Sequence, residues 1–173
     1  MKPAVLFLSE ETLKEKTVVN NNVDTKYLQQ AIWTVQEEQI HPALGSALYR
    51  RLMDAIEKKT LTEVEKQLLD DYITNAMVFF VMAELPLVLQ YKFFNRNVAK
   101  QNIESAETAS MSDIAYVINK YKSKAEFFVE RMKRFLLQKN TEGLLLEYVQ
   151  HDSKTDSLKA QRRSYRCPFV LGD

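Results

Sequence analysis

Hydrophobic positions recur with helical spacing along most of the chain. The strongest pattern covers residues 62–95, where apolar side chains fall at i, i+3, i+4 and i+7. It opens with a capping box, in which Thr62 accepts the Glu65 N–H and the Glu65 carboxylate reaches back. From Ala76 the polar face almost disappears, so we expect this half to be covered by the core or by a neighbouring subunit. Glu84 and Pro86 end the run before the ~18 apolar residues of a membrane span, and Pro86 predicts a bend or end of the helix.

Three more amphipathic segments predict helices at about 25–40, 43–58 and 112–139. Asp24 and Ser112 are suitable N-caps for the first and the last of these helices. The first helix is predicted to end at His41-Pro42, because the residue before a proline avoids the α region. The predicted core, packed on the 112–139 helix, consists of Leu28, Ile32, Val35, Leu48, Leu52, Leu68, Leu69, Ile73, Phe79 and Phe80.

These segments predict an all-α fold, a small bundle of about four main helices with extended N- and C-terminal arms. Only 3 glycines and 4 prolines in 173 residues favour long helices over a turn-rich β fold. Residues 1–23 are predicted to form an N-terminal arm in which Ser9 caps a helical turn. Residues 24–150 form the helical domain, with a variable loop at about 96–111, and residues 151–173 form the C-terminal arm.

Composition predicts a soluble protein without a general attraction to nucleic acid or membrane. The net charge is +1, and hydrophobic residues make up 46% of the chain. Cys167 is the only cysteine, which suits a reducing compartment. The N-terminus lacks the long apolar core of a signal peptide, so we expect the chain to be made in the cytoplasm.

Both predicted arms carry short apolar segments that are candidates for partner contacts. The N-terminal run must lie on its own domain or on a partner. The basic C-terminal segment could contact nucleic-acid phosphates, with Tyr165 stacking on a base, or dock on an acidic groove of a protein partner. A solvated tail is the third alternative, and the terminal apolar anchor favours the protein partner. The candidate residues are Val5, Leu6, Phe7, Leu8, Arg162, Arg163, Tyr165, Arg166, Phe169, Val170 and Leu171.

No catalytic, cofactor-binding or metal-binding residues are predicted. The glycines are too few and too far apart for a phosphate-binding loop. His41 is expected to end a helix rather than to bind a ligand. Glu84 lies among apolar residues, so we expect it to be buried and paired with Arg50 or Arg51 rather than to act as a catalytic acid. No arrangement of nucleophile, base and orienting group is recognisable, so an enzyme is not expected.

The order of structural residues over positions 22–97 resembles a known family. It comprises Asn22-Val23-Asp24 before Leu28, Ile32 and Gln36, then His41-Pro42-x-Leu44-Gly45 with Leu48, Tyr49 and Leu52, then Thr60-Leu61-Thr62, Leu68-Leu69, Tyr72-Ile73 and Glu84-x-Pro86. This pattern is similar to that of the head–tail connector (adaptor) proteins of tailed bacteriophages, closest to the portal-proximal ring protein of crAss-like phages.

The resemblance implies a structural subunit of a homo-oligomeric ring, typically a dodecamer, beneath the portal. Such a ring continues the DNA channel and joins the portal to tail components, so the expected location is the head–tail junction of the virion, after assembly in the host cytoplasm. Its expected partners are further copies of itself, the portal protein, other ring or tail proteins and passing duplex DNA, which it contacts without sequence specificity.

Two groups of residues follow as candidates within such a ring. Trp33, Phe80, Val81 and Glu84 are expected at the subunit interface. Lys120, Lys124 and Arg131, on the basic face of the 112–139 helix, are expected to face DNA. The alternative function is a helical nucleic-acid-binding regulatory protein that uses the basic C-terminal tail.

Overall fold

The computed structural model describes residues 5–19, 23–94, 97–100, 111–149 and 158–161 and has an all-α architecture with one short hairpin. The first four helices are α1 (Glu10–Lys16), α2 (Thr25–Val35), α3 (His41–Leu44) and α4 (Ser46–Glu57). They are followed by α5 (Glu63–Gln67), α6 (Thr74–Gln90) and α7 (Met111–Thr141). Strands β1 (Tyr91–Phe94) and β2 (Asn97–Lys100) pair antiparallel, and a 3₁₀ turn covers Leu146–Tyr148. The all-α prediction is confirmed.

Three predicted helix starts are confirmed by their caps, whereas α7 begins at Met111, so Ser112 lies inside the helix rather than at its N-cap. Ser9 accepts the Thr12 N–H, and Asp24 accepts the Lys26 N–H at 2.9 Å. Both hydrogen bonds of the Thr62 capping box are present. These contacts satisfy backbone donors that have no partner within the first helical turn.

One predicted helix end is wrong, because a π turn carries the helix past His41-Pro42, whereas the helix predicted from Thr62 is continuous through a second π turn. The π turn Gln36–Ile40 continues α2 through His41 and Pro42 into α3, and a second, Leu68–Ile73, joins α5 to α6. Such a turn shifts the hydrogen-bond ladder by one residue, here just before Pro42, which cannot donate. The chain breaks instead at Gly45, whose φ of 77° is rare for residues with a Cβ. We call this break between α3 and α4 the elbow.

Pro86 also lies inside a helix rather than at its end, because α6 continues to Gln90. Ala83 and Leu85 are buried just before it, so tertiary packing offsets the lost backbone hydrogen bond. The hairpin that follows replaces the first part of the loop predicted at about 96–111, and residues 101–110 lie outside the described part of the chain. None of the described helices is long and apolar enough to cross a membrane.

The core forms around α6, which packs on α2 and on α7. All the predicted core residues are buried except Phe79 and Phe80, which are partly buried, and Phe80 rests against the core. Val81 is fully buried, which corrects its prediction as a subunit-interface residue. The apolar excess of α6 therefore packs largely within its own chain.

The N-terminal segment also packs within its own domain. Phe7 and Leu8 are buried in the core, so their prediction as partner contacts is wrong. The buried Gln36 amide holds the segment: its Oε1 accepts the Phe7 N–H at 2.7 Å, and its Nε2 donates to the Val5 carbonyl at 3.0 Å. Leu6 is partly buried against the same core. Of the two alternatives for this segment, the structure shows packing on its own domain.

A four-residue segment at 158–161, which we call the strap, is bound to the elbow by two backbone hydrogen bonds and one to a side chain. The Ser46 N–H donates to the Leu158 carbonyl at 2.9 Å, and the Leu158 N–H donates to Ser46 Oγ at 2.8 Å. The Gln161 N–H donates to the Pro42 carbonyl at 2.9 Å. A Cβ on Gly45 would lie 2.8 Å from the Ala160 backbone nitrogen, so the absence of a side chain there lets the strap approach.

The Gly45→Ala variant is expected to lose about 2 kcal/mol of unfolding free energy, because φ at this position is unfavourable for alanine and its Cβ displaces the strap. Hydrogen exchange should become faster at the amides of Ser46 and Gln161. The control is Gly143→Ala, where φ is 78° but no atom lies within 4 Å of the added Cβ. Equal exchange at the elbow in both variants would show that Gly45 does not hold the strap.

Candidate functional site

Large aromatic side chains are exposed on the face of α7 that points away from the core. Tyr116 is 67% exposed and Phe127 is 60% exposed. On the opposite face, Ala125, Met132 and Leu136 are fully buried and pack towards α6. The apolar arc of α7 is thus wider than the stripe needed to cover its own core.

The exposed aromatic residues border an open groove between α6 and α7, with a volume of about 700 Å³. Phe79 and Phe128 form its floor, with ring centroids 5.5 Å apart and planes inclined by 14°. Phe127 meets Phe128 edge to face at 5.5 Å. Its lining consists of Phe79, Tyr116, Asn119, Lys120, Ser123, Lys124, Phe127 and Phe128, and we call it the aromatic groove.

Cations lie over the rings of the aromatic groove. Lys124 Nζ is 5.4 Å from the centre of the Phe79 ring. The Arg131 guanidinium lies 6.0 Å from the Phe127 ring and 5.7 Å from the Phe128 ring. At these distances the ring faces attract the positive charges, which keeps the cations close to the apolar surface.

Charge is unevenly divided along the chain. Helix α7 contains seven lysines and arginines against three acids. Residues 10–90 contain thirteen acids against eight lysines and arginines. The net charge is near zero because the basic α7 is balanced by the acidic residues 10–90. This asymmetry permits a basic face of one molecule to attract an acidic face of another.

The structure brings the three cations predicted to face DNA to one surface. Lys120 and Lys124 line the aromatic groove, and Arg131 lies over its rings. Trp33 lies on α2 and is 50% exposed. The C-terminal candidates from Arg162 to Leu171 lie outside the described residues.

Arg51, one of the two predicted partners of Glu84, pairs with other carboxylates. Glu84 is only partly buried, whereas Glu65 is 2% exposed. Arg51 Nε donates to Glu65 Oε1 at 3.0 Å, and its guanidinium also lies 3.7 Å from Glu147. The buried carboxylate that needs a partner is therefore that of Glu65. The sequence predicted its role in the capping box but not its burial.

A carboxylate, an imidazole and a hydroxyl form a chain at the elbow, which the sequence analysis did not foresee. His41 Nδ1 lies 3.2 Å from Glu37, and His41 Nε2 lies 2.9 Å from Ser46 Oγ. Ser46 is fully buried, and its oxygen accepts the Leu158 N–H. In this conformation Ser46 Oγ has no exposed surface to offer a substrate. Its hydrogen bond to Leu158 instead gives the chain of polar groups a role in positioning the strap.

Tyr49 belongs to the same network. Its ring stacks on His41 with centroids 4.2 Å apart, and its hydroxyl donates to Glu37 at 2.6 Å. Burial, followed by the hydrogen bond to Glu37, raises the pKa of the Tyr49 hydroxyl, while the Gln36 hydrogen bond opposes that rise. The described residues contain no group of three or more His, Cys, Asp or Glu side chains placed to hold a metal ion.

A family model described as a family of unknown function (DUF6712) matches residues 40–143. The chain belongs to this family. The match includes the aromatic groove, the elbow glycine and all of α6 and α7, whereas Trp33 and both predicted arms lie outside it. No curated protein and no solved structure matches the chain.

The exposed aromatic residues of α7 were missed by the sequence analysis. Tyr116 and Phe127 fall beside the apolar stripe that ends at Leu136, among lysines that predict a solvated face. The available signal was that two aromatic residues interrupt a charged face at a spacing of three helical turns.

Proposed function

We propose that the chain is a structural subunit of a phage head-to-tail connector ring. In this function the ring lies beneath the portal in the virion, continues the DNA channel and joins the portal to tail components. The observation that carries the proposal is the aromatic groove, whose bordering rings a single copy leaves exposed to solvent. The resemblance of residues 22–97 to connector proteins indicates a ring as the assembly in which that surface would be covered.

The exposed groove supports an assembly rather than an isolated monomer. Exposed aromatic side chains next to a concave apolar surface are the kind of surface that protein interfaces cover. Phe127 and Tyr116 present ring surface to solvent beside the partly buried Phe79 and Phe128. Covering these rings removes apolar area from water and stabilises the assembled state.

The strap supports a role for the C-terminal arm in joining neighbours. Its hydrogen bonds fix Gln161 beside Pro42, which ties the last described segment of the chain to the elbow. The arm that starts there carries Arg162, Arg163 and Arg166, followed by the apolar Phe169, Val170 and Leu171. We propose that this arm contacts the portal or a tail protein, with its apolar end as the anchor.

Mass measurement and electron microscopy of the pure full-length protein, alone and with a portal protein, test the proposal. We expect closed rings, either spontaneously or on the portal, because subunits with two different complementary faces associate head to tail. A protein that stays monomeric at high concentration and does not bind the portal would refute the proposed function.

A further inference from the structure

We propose that the aromatic groove binds the Trp33 face of a second copy of this chain. The inference rests on the proposed ring and names the two surfaces that meet in it. The groove offers an apolar floor bordered by cations, and the Trp33 face offers an exposed indole near carboxylates. The contact is head to tail, because the two surfaces belong to different elements.

The Trp33 face has the chemistry that the groove requires. Trp33 lies on the side of α2 opposite its buried residues and is half exposed. Glu37 follows one helical turn later. One turn earlier, Gln29 donates to Glu10 at 2.7 Å, which holds a second carboxylate beside the helix. An aromatic anchor is thus flanked by negative charge on both sides.

The groove is complementary in both polarity and charge. Its floor is formed by the rings of Phe79 and Phe128, which can pack against an indole at the ordinary distances of aromatic pairs. Lys120 and Lys124 stand one turn apart at its edge. Among the described residues that line the groove the charged ones are cations, so carboxylates that flank an incoming tryptophan meet positive charge there.

The same copy does not fill its own groove. Helix α6 packs on α2 and on α7, and the buried residues of α2 point into that core. Trp33 points away from the core, whereas the groove is formed on the α7 side of α6. The two surfaces therefore meet only between copies, and repetition of such a contact generates a closed ring or a filament.

This contact assigns Lys120 and Lys124 to the subunit interface rather than to the wall of a DNA channel. Tryptophan is among the residues that contribute most to binding at the centre of an interface, and surrounding charges mainly set partner choice and association rate. The groove lies within the part of the chain that matches the family, whereas Trp33 precedes it.

Chemical cross-linking of the full-length chain tests the contact. The variant carries Gln30→Cys beside Trp33 and Ser123→Cys in the groove, with Cys167→Ser to remove the native thiol. Gln30 and Ser123 are exposed, so both substitutions leave the core and the two aromatic surfaces intact. With a short bis-maleimide we expect a ladder of covalent dimers, trimers and larger species, since each copy offers two different thiols to two neighbours.

The single-cysteine variants are the matched controls, because neither can form species larger than a dimer. Oligomers in solution without a ladder, or a double-cysteine variant that stops at dimers, would overturn the proposed contact and leave the ring proposal standing. A monomeric wild-type chain that ignores the portal would overturn both.

The Trp33→Ala variant gives an independent readout. We expect the concentration at which half of the protein is assembled to rise by about 10-fold or more, because the variant loses the central aromatic anchor. The control is Val18→Ala, at a position that is 86% exposed, which should leave that concentration unchanged. Equal assembly of the two variants would show that Trp33 is not the anchor.

Discussion

The Val81→Asp variant is expected not to fold. Val81 is fully buried among the residues that α6 contributes to the core. An ionised carboxylate is so unfavourable there that the group would take up a proton instead, which corresponds to a pKa raised by about 3–5 units. That rise represents about 4–7 kcal/mol, comparable to the total stability of a domain of this size. Circular dichroism and chemical denaturation measure the outcome.

The matched control is Val18→Asp, the same substitution at a position that is 86% exposed. It should fold with the stability of the wild type. A Val81→Asp protein that folds and still assembles would mean that this segment of α6 is covered differently from what the structure shows. Because Val81 belongs to the core of its own chain, this variant tests folding, and an effect on assembly would follow from the loss of the fold.

The Glu65→Ala variant is expected to lose about 3 kcal/mol of unfolding free energy. The carboxylate accepts the Thr62 N–H at 2.7 Å and a hydrogen bond from Arg51 at 3.0 Å, and it is 2% exposed. Hydrogen bonds to charged groups contribute about 1.5–3 kcal/mol each to the free energy of unfolding. The contribution of the Arg51–Glu65 hydrogen bond is reduced because the Arg51 side chain is half exposed. The midpoint of denaturation by urea, at constant slope, measures the loss.

Glu63→Ala provides the control, because Glu63 also pairs with a cation but is exposed. Its contact with Lys66, at 2.7 Å, lies on the surface of the same helix. We expect no measurable change there, since solvent screens exposed ion pairs. Similar losses at Glu63 and Glu65 would contradict the view that burial and the capping box make the difference.

These predictions separate two uses of apolar surface in the chain. The apolar excess of α6, which the sequence left open between core and neighbour, is used largely inside the subunit. Tyr116 and Phe127 of α7, in contrast, are exposed at the surface. A search for the assembly interface should therefore concentrate on Tyr116 and Phe127 rather than on Val81.

The helical segments and their starts were predictable because their causes are local. Periodic apolar positions, the Ser9 and Asp24 caps and the Thr62–Glu65 box act within one or two turns of the chain. The helix ends were less predictable. His41-Pro42 and Pro86 do stop isolated helices, but here the π turn and the buried residues of α6 carry the helix past them.

The sequence by itself determined the fold class, most of the core and the basic character of α7, since these depend on composition and spacing. Only the tertiary structure decided where the apolar segments are used: Phe7 and Leu8 in the core, the strap on Gly45, and the aromatic groove open to solvent. The physical reason is that burial depends on neighbours distant in the sequence. An apolar side chain outside the core stripe of α6 or α7 is compatible with either a covered or an exposed face, and the packing of the two helices distinguishes them.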